Sequence, residues 1–361
     1  MENTDQLRWY DRIPGAGAAG IVLFVNALWA FWGLGEMFFE GWWGPWYLKL
    51  AYLSLGIISF ILGLAALRWP KAGGWVLIAI GAGFNLWWWW RDILNGTLTW
   101  RRVLGQFPVS GILVIAGLLF LWHARVLRKR ERLGILPHPI WWRRNLRFLL
   151  ALGIPAMITV VMLAINLPIV LARQDNGNRD AVAISGNDGV TLIWAPQGPG
   201  WNWMQEWGGY PDWQMLALYG LDPIGLEDKE LDDGFEWASQ ADMDTFSLCA
   251  YLSEDGLTLL DEPQYIWRMP TVDEFAAAHM LHGQNAGCSW DGESQMMDCT
   301  LIPDKETPLW APDEAPVYYW THDEYDQEHV YYISYNGHVS DQPKDWGNPR
   351  HGYRCVKDVG E

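Results

Sequence analysis

Long apolar runs fill the first half of the chain, whereas the second half alternates short apolar stretches with polar turns. A helix needs about 20 apolar residues to cross the hydrocarbon core of a bilayer. Runs of about this length predict membrane spans at Ala18–Phe39, Trp46–Leu67, Gly73–Trp90, Pro108–Leu127 and Phe148–Leu171. We therefore expect residues 1–172 to form an α-helical membrane bundle of five spans in contact with lipid.

The basic residues between the fourth and fifth predicted spans indicate how the chain is oriented. This connection contains one acidic residue, Glu131, and the basic residues Arg128, Lys129, Arg130, Arg132, Arg143, Arg144 and Arg147. Basic loops stay in the cytoplasm. Five spans of a bacterial inner membrane then place the N-terminus in the cytoplasm and the C-terminal half in the periplasm or outside the cell. Arg91, Arg101 and Arg102 fall on the outer side in this arrangement, so an even number of spans is the alternative.

Tryptophans cluster near the ends of the predicted spans. They are Trp42, Trp43, Trp46, Trp87, Trp88, Trp89, Trp90, Trp100, Trp141 and Trp142. An amphipathic ring is stable at the depth of the lipid headgroups, so an aromatic belt is the simpler interpretation. A docking surface for a partner subunit, a lipid tail or a pigment is the alternative.

Charge divides the chain at the same place as hydropathy. Residues 1–172 contain 16 lysines and arginines against 7 acidic residues, a net charge of +9, whereas residues 173–361 contain 9 against 35, a net charge of −26. So acidic a second half argues against a nucleic-acid partner. We expect a linker rich in Gly, Asn and Asp over residues 173–189 and an extracytoplasmic domain over residues 190–361.

Local patterns in residues 190–361 predict a mixed α+β domain. Val190–Trp194 is typical of a first strand, and Asp244–Ser253 has its apolar positions at helical spacing. Asn336 and Gly337 separate two extended runs, and this dipeptide supplies the positive φ angles of a tight hairpin turn. Strands and helices are therefore mixed along this half of the chain.

All four cysteines lie in the acidic half: Cys249, Cys288, Cys299 and Cys355. An even number of cysteines confined to one side of a membrane favours an oxidising compartment. Four cysteines allow three different pairings, and the sequence pattern does not choose among them. Four reduced, buried thiols are the alternative.

A longer signature extends from Ile266 to Val356. It opens with Arg268-Met269-Pro270-Thr271-Val272-Asp273-Glu274-Phe275, passes through Tyr318-Tyr319-Trp320-Thr321, and closes with Gly352-Tyr353-Arg354-Cys355-Val356. Thr271 and Glu274 form a capping box, which predicts that a helix begins at Val272. The opening and closing stretches resemble the formylglycine-generating enzyme (sulfatase-modifying factor) family. The middle stretch and the hairpin resemble the bacterial C-terminal domains of the Legionella collagen-like adhesin type.

This resemblance implies a C-type-lectin-like fold for the C-terminal half. It also implies that Cys249 pairs with Cys355 and that Cys288 closes a short loop with Cys299. The formylglycine-generating enzymes oxidise their substrate with a copper-binding cysteine pair upstream of the closing motif. No cysteine lies between Thr300 and Arg354 in this chain, so the resemblance implies the fold without that activity.

Metal and cofactor sites are not predicted from the sequence. Relatives of the same fold use three histidines to bind iron, and the nearest pattern here is His279 with His282. Two histidines without a third are typical of a solvated surface pair. No cofactor is therefore expected.

Recognition in this fold is implied to lie on the long loops before the final strand. The candidate binding residues on these loops are His322, Asp323, Tyr325, Asp326, His329, Trp346 and His351. Aromatic and polar side chains on loops of a rigid scaffold favour binding, and ordinary solvated loop residues are the alternative. The leading hypothesis is a non-catalytic membrane receptor or subunit that binds a protein, a glycan or a complex partner. The alternatives are an oxidase of the formylglycine or non-haem iron type and a purely structural subunit.

Overall fold

A computed structural model describes residues 11, 13–42, 46–134, 140–201, 211–221 and 237–360 of the chain. Trp43 lies outside the described residues, as do the side chains of Arg143 and Arg144. The chain divides into two compact units, Met1–Pro168 and Ile169–Glu361. Within the described residues, the strands all belong to the second unit.

Long helices follow one another through the first part of the chain. They are α1 (Ile13–Glu36), α2 (Trp46–Arg68), α3 (Pro70–Leu94), α4 (Trp100–Arg132) and α5 (Trp141–Ala172), and α1 continues into a π-helical turn, Met37–Gly41. In the described part of the chain, four segments are long and apolar enough to cross a membrane: Ile13–Gly41, Trp46–Arg68, Ser110–Arg132 and Asn145–Ala172. The helix α3 is less apolar, because Asn85 and the tryptophans Trp87–Trp90 lower its mean hydropathy.

Glycines bring α3 and α4 into close contact. A methyl group on Gly117 would lie 2.6 Å from the carbonyl oxygen of Gly74, and one on Gly81 would lie 2.7 Å from the carbonyl oxygen of Ser110. Small residues let helix backbones approach closely where apolar burial alone gives little attraction between helices. Asn26 of α1 adds a polar contact, since its side-chain oxygen accepts a hydrogen bond from Ser59 of α2 at 2.9 Å.

The first sheet of the second unit joins the beginning and the end of that unit. Its strands are β1 (Val182–Ser185), β2 (Thr191–Trp194) and β11 (Val356–Asp358), with β2 in the centre and antiparallel to both neighbours. The predicted strand Val190–Trp194 is therefore present as β2. Because β11 is the last strand of the chain, the two ends of the unit are hydrogen-bonded to each other.

The stretch predicted as a linker, residues 173–189, contains ordered structure. This stretch contains β1, and the guanidinium of Arg173 forms a buried ion pair with Asp304 at 2.6 Å. Short polar side chains fix local turns in this stretch. The side-chain oxygen of Asp175 accepts from the N–H of Gly177 at 2.9 Å, and that of Asn176 accepts from the N–H of Asn178 at 2.9 Å.

The second sheet has the strand order β10-β7-β8-β9. Its strands are β7 (Tyr318–Glu324), β8 (His329–Ser334), β9 (Val339–Pro343) and β10 (His351–Gly352), and only the β10–β7 pair is parallel. Two short hairpins lie outside this sheet: β3 (Met280–Leu281) with β4 (Gln284–Asn285), and β5 (Cys288–Ser289) with β6 (Asp298–Cys299).

The hairpin between β8 and β9 is present, but its turn differs from the predicted one. Only Gly337 takes a positive φ, of 81°, and the backbone of Asn336 does not. The N–H of Ser334 donates to the carbonyl oxygen of His338 at 2.9 Å, which leaves three residues, 335–337, in the turn. The longer turn relieves Asn336 of the left-handed conformation, and its side-chain oxygen accepts from the Ser334 hydroxyl at 2.6 Å instead.

The helices of the second unit are short: α6 (Trp213–Ala217), α7 (Gln240–Phe246) and α8 (Val272–Ala278). The predicted helix Asp244–Ser253 is split, because Ser247 is extended with ψ of 150°. A capping box at Ser239 starts α7 early, and a 3-10 turn, Leu248–Tyr251, follows the break. The helix predicted to begin at Val272 is confirmed as α8.

Both disulfides pair as the family resemblance implied. Cys249, in the 3-10 turn, is bonded to Cys355 just before β11, and Cys288 of β5 is bonded to Cys299 of β6. The first bridge lies in the main core, whose largest buried side chains include Trp213, Trp267 and Trp320.

Candidate functional site

The start of α8 is held by a set of charged contacts that explains the opening signature. Glu274 closes the capping box, since its carboxylate accepts from the N–H of Thr271 at 2.9 Å while its own N–H donates to the Thr271 hydroxyl at 3.2 Å. Arg268 donates two hydrogen bonds to the same carboxylate. Asp323 of β7 accepts from the N–H of Val272 at 2.6 Å. The signature residues therefore fix α8 against the second sheet.

Two of the predicted binding residues, His322 and Asp323, serve this internal framework. Burial raises the pKa of Asp323, and its carboxylate faces the first turn of α8. His322 contacts α7, with its Nε2 atom 2.8 Å from the carboxylate of Asp244 and its Nδ1 atom 2.8 Å from the side-chain amide of Gln240. Both residues position helices at one end of the sheet.

Tyr325, Asp326 and His329 do come together, at the turn between β7 and β8. The carboxylate of Asp326 accepts from the backbone N–H groups of Glu328 and His329, at 2.8 and 2.7 Å, and lies 3.0 Å from the His329 ring. The hydrogen bond from the Glu328 N–H is the main cause that lowers the pKa of Asp326. Tyr325 projects from this ordered turn with 54% of its surface exposed.

A row of aromatic rings continues from this turn along strand β8. The rings of Tyr325 and Tyr331 pack edge to face with centroids 5.4 Å apart, and Tyr331 packs in the same way against Trp290 at 5.1 Å. His329 lies 6.5 Å from Tyr325. We call Trp290, Tyr325, His329 and Tyr331 the aromatic patch.

Carboxylates surround the aromatic patch. Asp341 lies opposite Tyr331 in the β8–β9 register. The pKa of Tyr331 is raised, first by burial and then by the neighbouring Tyr325, Asp341 and Asp323. The patch therefore combines exposed ring surface with a negative local potential.

The framework beneath the patch is rigid for two reasons. The buried ammonium of Lys344 lies 2.5 Å from the carboxylate of Glu324, the last residue of β7, and also donates to the carbonyl oxygen of Ala238. The disulfide between Cys288 and Cys299 closes the loop that carries Trp290. Rigid elements of this kind hold recognition side chains without a large ordering cost on binding.

His351 is not a surface residue, contrary to the prediction. It is 1% exposed, its ring stacks on Trp320 with centroids 4.5 Å apart, and burial lowers its pKa to about 3. Neither of its ring nitrogens has a hydrogen-bond partner in the structure. The reason is that His351 is paired with Tyr318 in the parallel β10–β7 ladder, which directs it to the same buried face as Trp320.

Trp346 is exposed, at 50%, as the prediction requires. It follows β9, whose last residue, Pro343, is paired with His329. It therefore lies at the same end of the sheet as the β7–β8 turn. The structure shows no ring contact between Trp346 and the aromatic patch among the described residues.

The pair His279 and His282 is not a solvated pair on one helix face. His279 caps the C-terminus of α8 and is fully buried, with its Nδ1 atom 2.6 Å from the carbonyl oxygen of Phe275. Burial lowers the pKa of His279. His282 lies in the following turn with a φ of 49°, and its ring contacts Glu306 at 3.0 Å. No group of three or more His, Cys, Asp or Glu side chains placed to hold a metal ion is found within the described ranges.

Sequence reasoning missed Trp290, Tyr331 and Asp341. The alternation of Tyr331 and Tyr332 along a strand was the available signal, because adjacent strand residues point to opposite faces of the sheet. Trp290 gave no such signal, because its place depends on the disulfide loop and on the register of β8.

Comparison with models of protein families, with curated proteins and with solved structures finds no match for this chain.

Proposed function

We propose that this chain is a non-catalytic receptor or subunit of a bacterial inner membrane, with five spans and a C-type-lectin-like extracytoplasmic domain. Four helices with membrane-crossing length and apolarity support the anchor. Two disulfides support an oxidising side for the second unit. The N-terminus then lies in the cytoplasm, and α3 is the fifth span.

Three features of the second unit support the lectin-like assignment. Its last strand returns to pair with β2, near the start of the unit. The capped helix α8 follows the Arg-Met-Pro-Thr signature directly. The Cys249–Cys355 disulfide connects the short helical segment to the end of the chain, as the resemblance implies.

The aromatic patch carries the proposal of binding. The exposed Tyr325 packs edge to face against Tyr331, which packs in the same way against Trp290, so three rings form one contiguous aromatic surface. Tyrosine and tryptophan supply large contact areas at a low cost in side-chain entropy. The patch rests on a framework fixed by a disulfide and by the Lys344–Glu324 ion pair.

The chemistry of the patch favours a cationic group on a protein partner. Lysine or arginine side chains are attracted to aromatic faces, and nearby carboxylates strengthen the attraction. Residues 173–361 carry a net charge of −26, which also favours a basic partner. A glycan that stacks on Tyr325 and Trp290 is the competing outcome.

The oxidase alternative gains no support from the cysteines. All four cysteines of the chain are paired in the two disulfides. A copper–thiolate oxidase needs reduced thiols as ligands and as nucleophiles.

Tyr325→Ala with Asp326→Asn tests the proposal in the full-length protein. Tyr265→Ala is the matched control, because Tyr265 is 59% exposed and Tyr325 is 54% exposed in the same unit. The wild type and both variants are cross-linked in native membranes, purified and compared by quantitative mass spectrometry. We expect the patch variant to lose at least about 80% of a specifically enriched partner, since aromatic hot spots contribute about 2 kcal/mol or more. The control variant is expected to retain that partner.

Two other results would overturn the proposal of a protein partner. Equal recovery of every partner by the wild type and the patch variant would show that the aromatic patch does not take part in binding. Patch-dependent retention on immobilised glycans, without any enriched protein, would replace the protein partner with a carbohydrate.

A further inference from the structure

The last two turns of α4 present a basic face. Arg125, Arg128, Lys129 and Arg132 are three, four and seven residues apart, which places them on one side of a helix. Together with Leu133 they line a cavity of about 620 Å³. This volume lies within the range of about 300–1,000 Å³ that is typical of small-molecule sites.

The cations on this face differ in their acidic neighbours. Lys129 lies 3.4 Å from the carboxylate of Asp11. Elsewhere in the described part of the chain, no carboxylate lies within ion-pair distance of Arg125, Arg128 or Arg132. The opposite end of the same helix differs, since Arg102 lies 3.5 Å from Asp92 there. The excess positive charge is therefore concentrated on the face that lines the cavity.

The position of this face along α4 indicates which anions can reach it. It lies at the end of Ser110–Arg132, a segment long and apolar enough to cross a membrane. Trp122, one turn before Arg125, is 43% exposed, and exposed tryptophans are favoured at headgroup depth. Guanidinium groups bind phosphate oxygens with two hydrogen bonds in a fixed geometry. We propose that the basic face of α4 binds the phosphate group of an anionic phospholipid headgroup.

Native mass spectrometry of the full-length protein in a neutral detergent tests this site. The protein is titrated with phosphatidylglycerol and, separately, with phosphatidylcholine. Arg128→Gln with Arg132→Gln removes two cations from the cavity. Arg91→Gln with Arg101→Gln removes two cations elsewhere and is the matched control. Arg128→Lys with Arg132→Lys keeps both positive charges but removes the planar guanidinium groups that donate two parallel hydrogen bonds to a phosphate.

We expect the wild type to bind phosphatidylglycerol at least about tenfold more tightly than phosphatidylcholine. The Arg128/Arg132 glutamine variant is expected to lose at least about fivefold in affinity for phosphatidylglycerol, whereas the control changes by less than about twofold. The lysine variant is expected to keep an intermediate affinity. Equal thermal midpoints without lipid show that each variant is folded.

Three results would overturn the proposal. The first is equal binding of the two lipids by the wild type. The second is an equal loss of affinity in the cavity variant and in the control. The third is displacement of phosphatidylglycerol by inorganic phosphate at millimolar concentration, which would assign the cavity to a soluble phosphate.

Discussion

The guanidinium of Arg268 donates two parallel hydrogen bonds to the carboxylate of Glu274, of 2.7 and 2.6 Å. The same carboxylate accepts a hydrogen bond from the N–H of Thr271, which caps the first turn of α8. The Glu274 side chain therefore both caps the helix and links it to Arg268, in the segment that precedes the helix. Paired charge-assisted hydrogen bonds of this geometry are stronger than neutral ones. Arg268, Thr271 and Glu274 of the opening signature therefore stabilise the start of α8.

The first prediction concerns this pair. Glu274→Gln is expected to lower the free energy of unfolding by about 1–2 kcal/mol, because it removes a charge-assisted cap. Burial alone would raise the pKa of Glu274, but the hydrogen bonds from Arg268 and Thr271 outweigh it, and the net pKa is lowered. The wild type should therefore lose this stabilisation as the pH falls below about 4.3, the pKa of an unfolded glutamate.

Urea unfolding of the full-length protein in detergent, followed by the fluorescence of its tryptophans, measures the effect. Asp273→Asn is the control, since Asp273 lies in the same first turn of α8 without the contact to Arg268. An acid dependence that is the same in the wild type and the Glu274→Gln variant would contradict the assignment.

The second prediction concerns the two disulfides. The Cys249–Cys355 bridge spans 106 residues and the Cys288–Cys299 bridge spans 11. If a disulfide acts by reducing the entropy of the unfolded chain, closing a longer loop stabilises the folded state more. The stabilisation is about 4.7 kcal/mol for a loop of 100 residues and about 3 kcal/mol for one of 15. Replacing Cys249 and Cys355 by alanine should therefore lower the thermal midpoint more than replacing Cys288 and Cys299.

Differential scanning fluorimetry compares the two double variants under non-reducing conditions. The same ranking should vanish when wild type and variants are all measured with a reductant. A larger loss from the short loop would contradict the prediction.

The third prediction concerns His351. Its pKa is lowered from 6.5 to about 3 by burial, so the unfolded chain binds a proton that the folded chain does not. Stability should fall by up to about 1.4 kcal/mol for each pH unit below 6.5 because of this group alone. His351→Phe keeps a ring against Trp320 and removes two buried nitrogens without partners, so it should be neutral or stabilising at pH 7.

Thermal midpoints of wild type and His351→Phe, measured from pH 7 to pH 4.5, test this reasoning. The thermal midpoint of His351→Phe should rise relative to that of the wild type as the pH falls. His338→Phe is the control, because His338 is only half-buried. A variant that loses stability at pH 7 would show that His351 makes a required polar contact.

The fourth prediction concerns the contact of α3 with α4. Gly117→Ala places a methyl group 2.6 Å from the carbonyl oxygen of Gly74 and 2.6 Å from Ile78, so the helices must separate. Overpacking of this kind costs about 1–3 kcal/mol. Gly83→Ala in α3 meets nothing within 4 Å and should be neutral or stabilising. The midpoint of thermal aggregation is measured for both purified variants in detergent. Equal midpoints for Gly117→Ala and Gly83→Ala would contradict the close approach of α3 and α4.

Local patterns were sufficient for features that depend on neighbouring residues. The Thr271–Glu274 capping box, the strand at Thr191–Trp194 and the Asn-Gly hairpin follow from short-range rules, and the structure contains them. The long helices follow from apolar runs that need no tertiary partner. The predicted helix Asp244–Ser253 failed because Ser247 leaves the helical conformation, which its apolar spacing does not reveal.

Features that depend on distant parts of the chain were not visible in the sequence. His351 resembles a loop residue until its pairing with β7 turns it inward. Trp290 meets Tyr331 only because a disulfide closes one loop and the β8 register fixes the other side. Three of the seven predicted loop residues, His322, Asp323 and His351, serve helices or the core for the same reason. Sheet register, which no local pattern fixes, decides which face each one joins.

The bond between Cys249 and Cys355 turns the chain between them into a covalent ring, with the aromatic patch inside it. A protease that cuts once between these cysteines opens the ring without releasing either piece. A single cut separates the patch from the N-terminal unit only if it falls before Cys249. Enzymatic attack on the exposed loops near Tyr325 would therefore leave a nicked but still tethered domain.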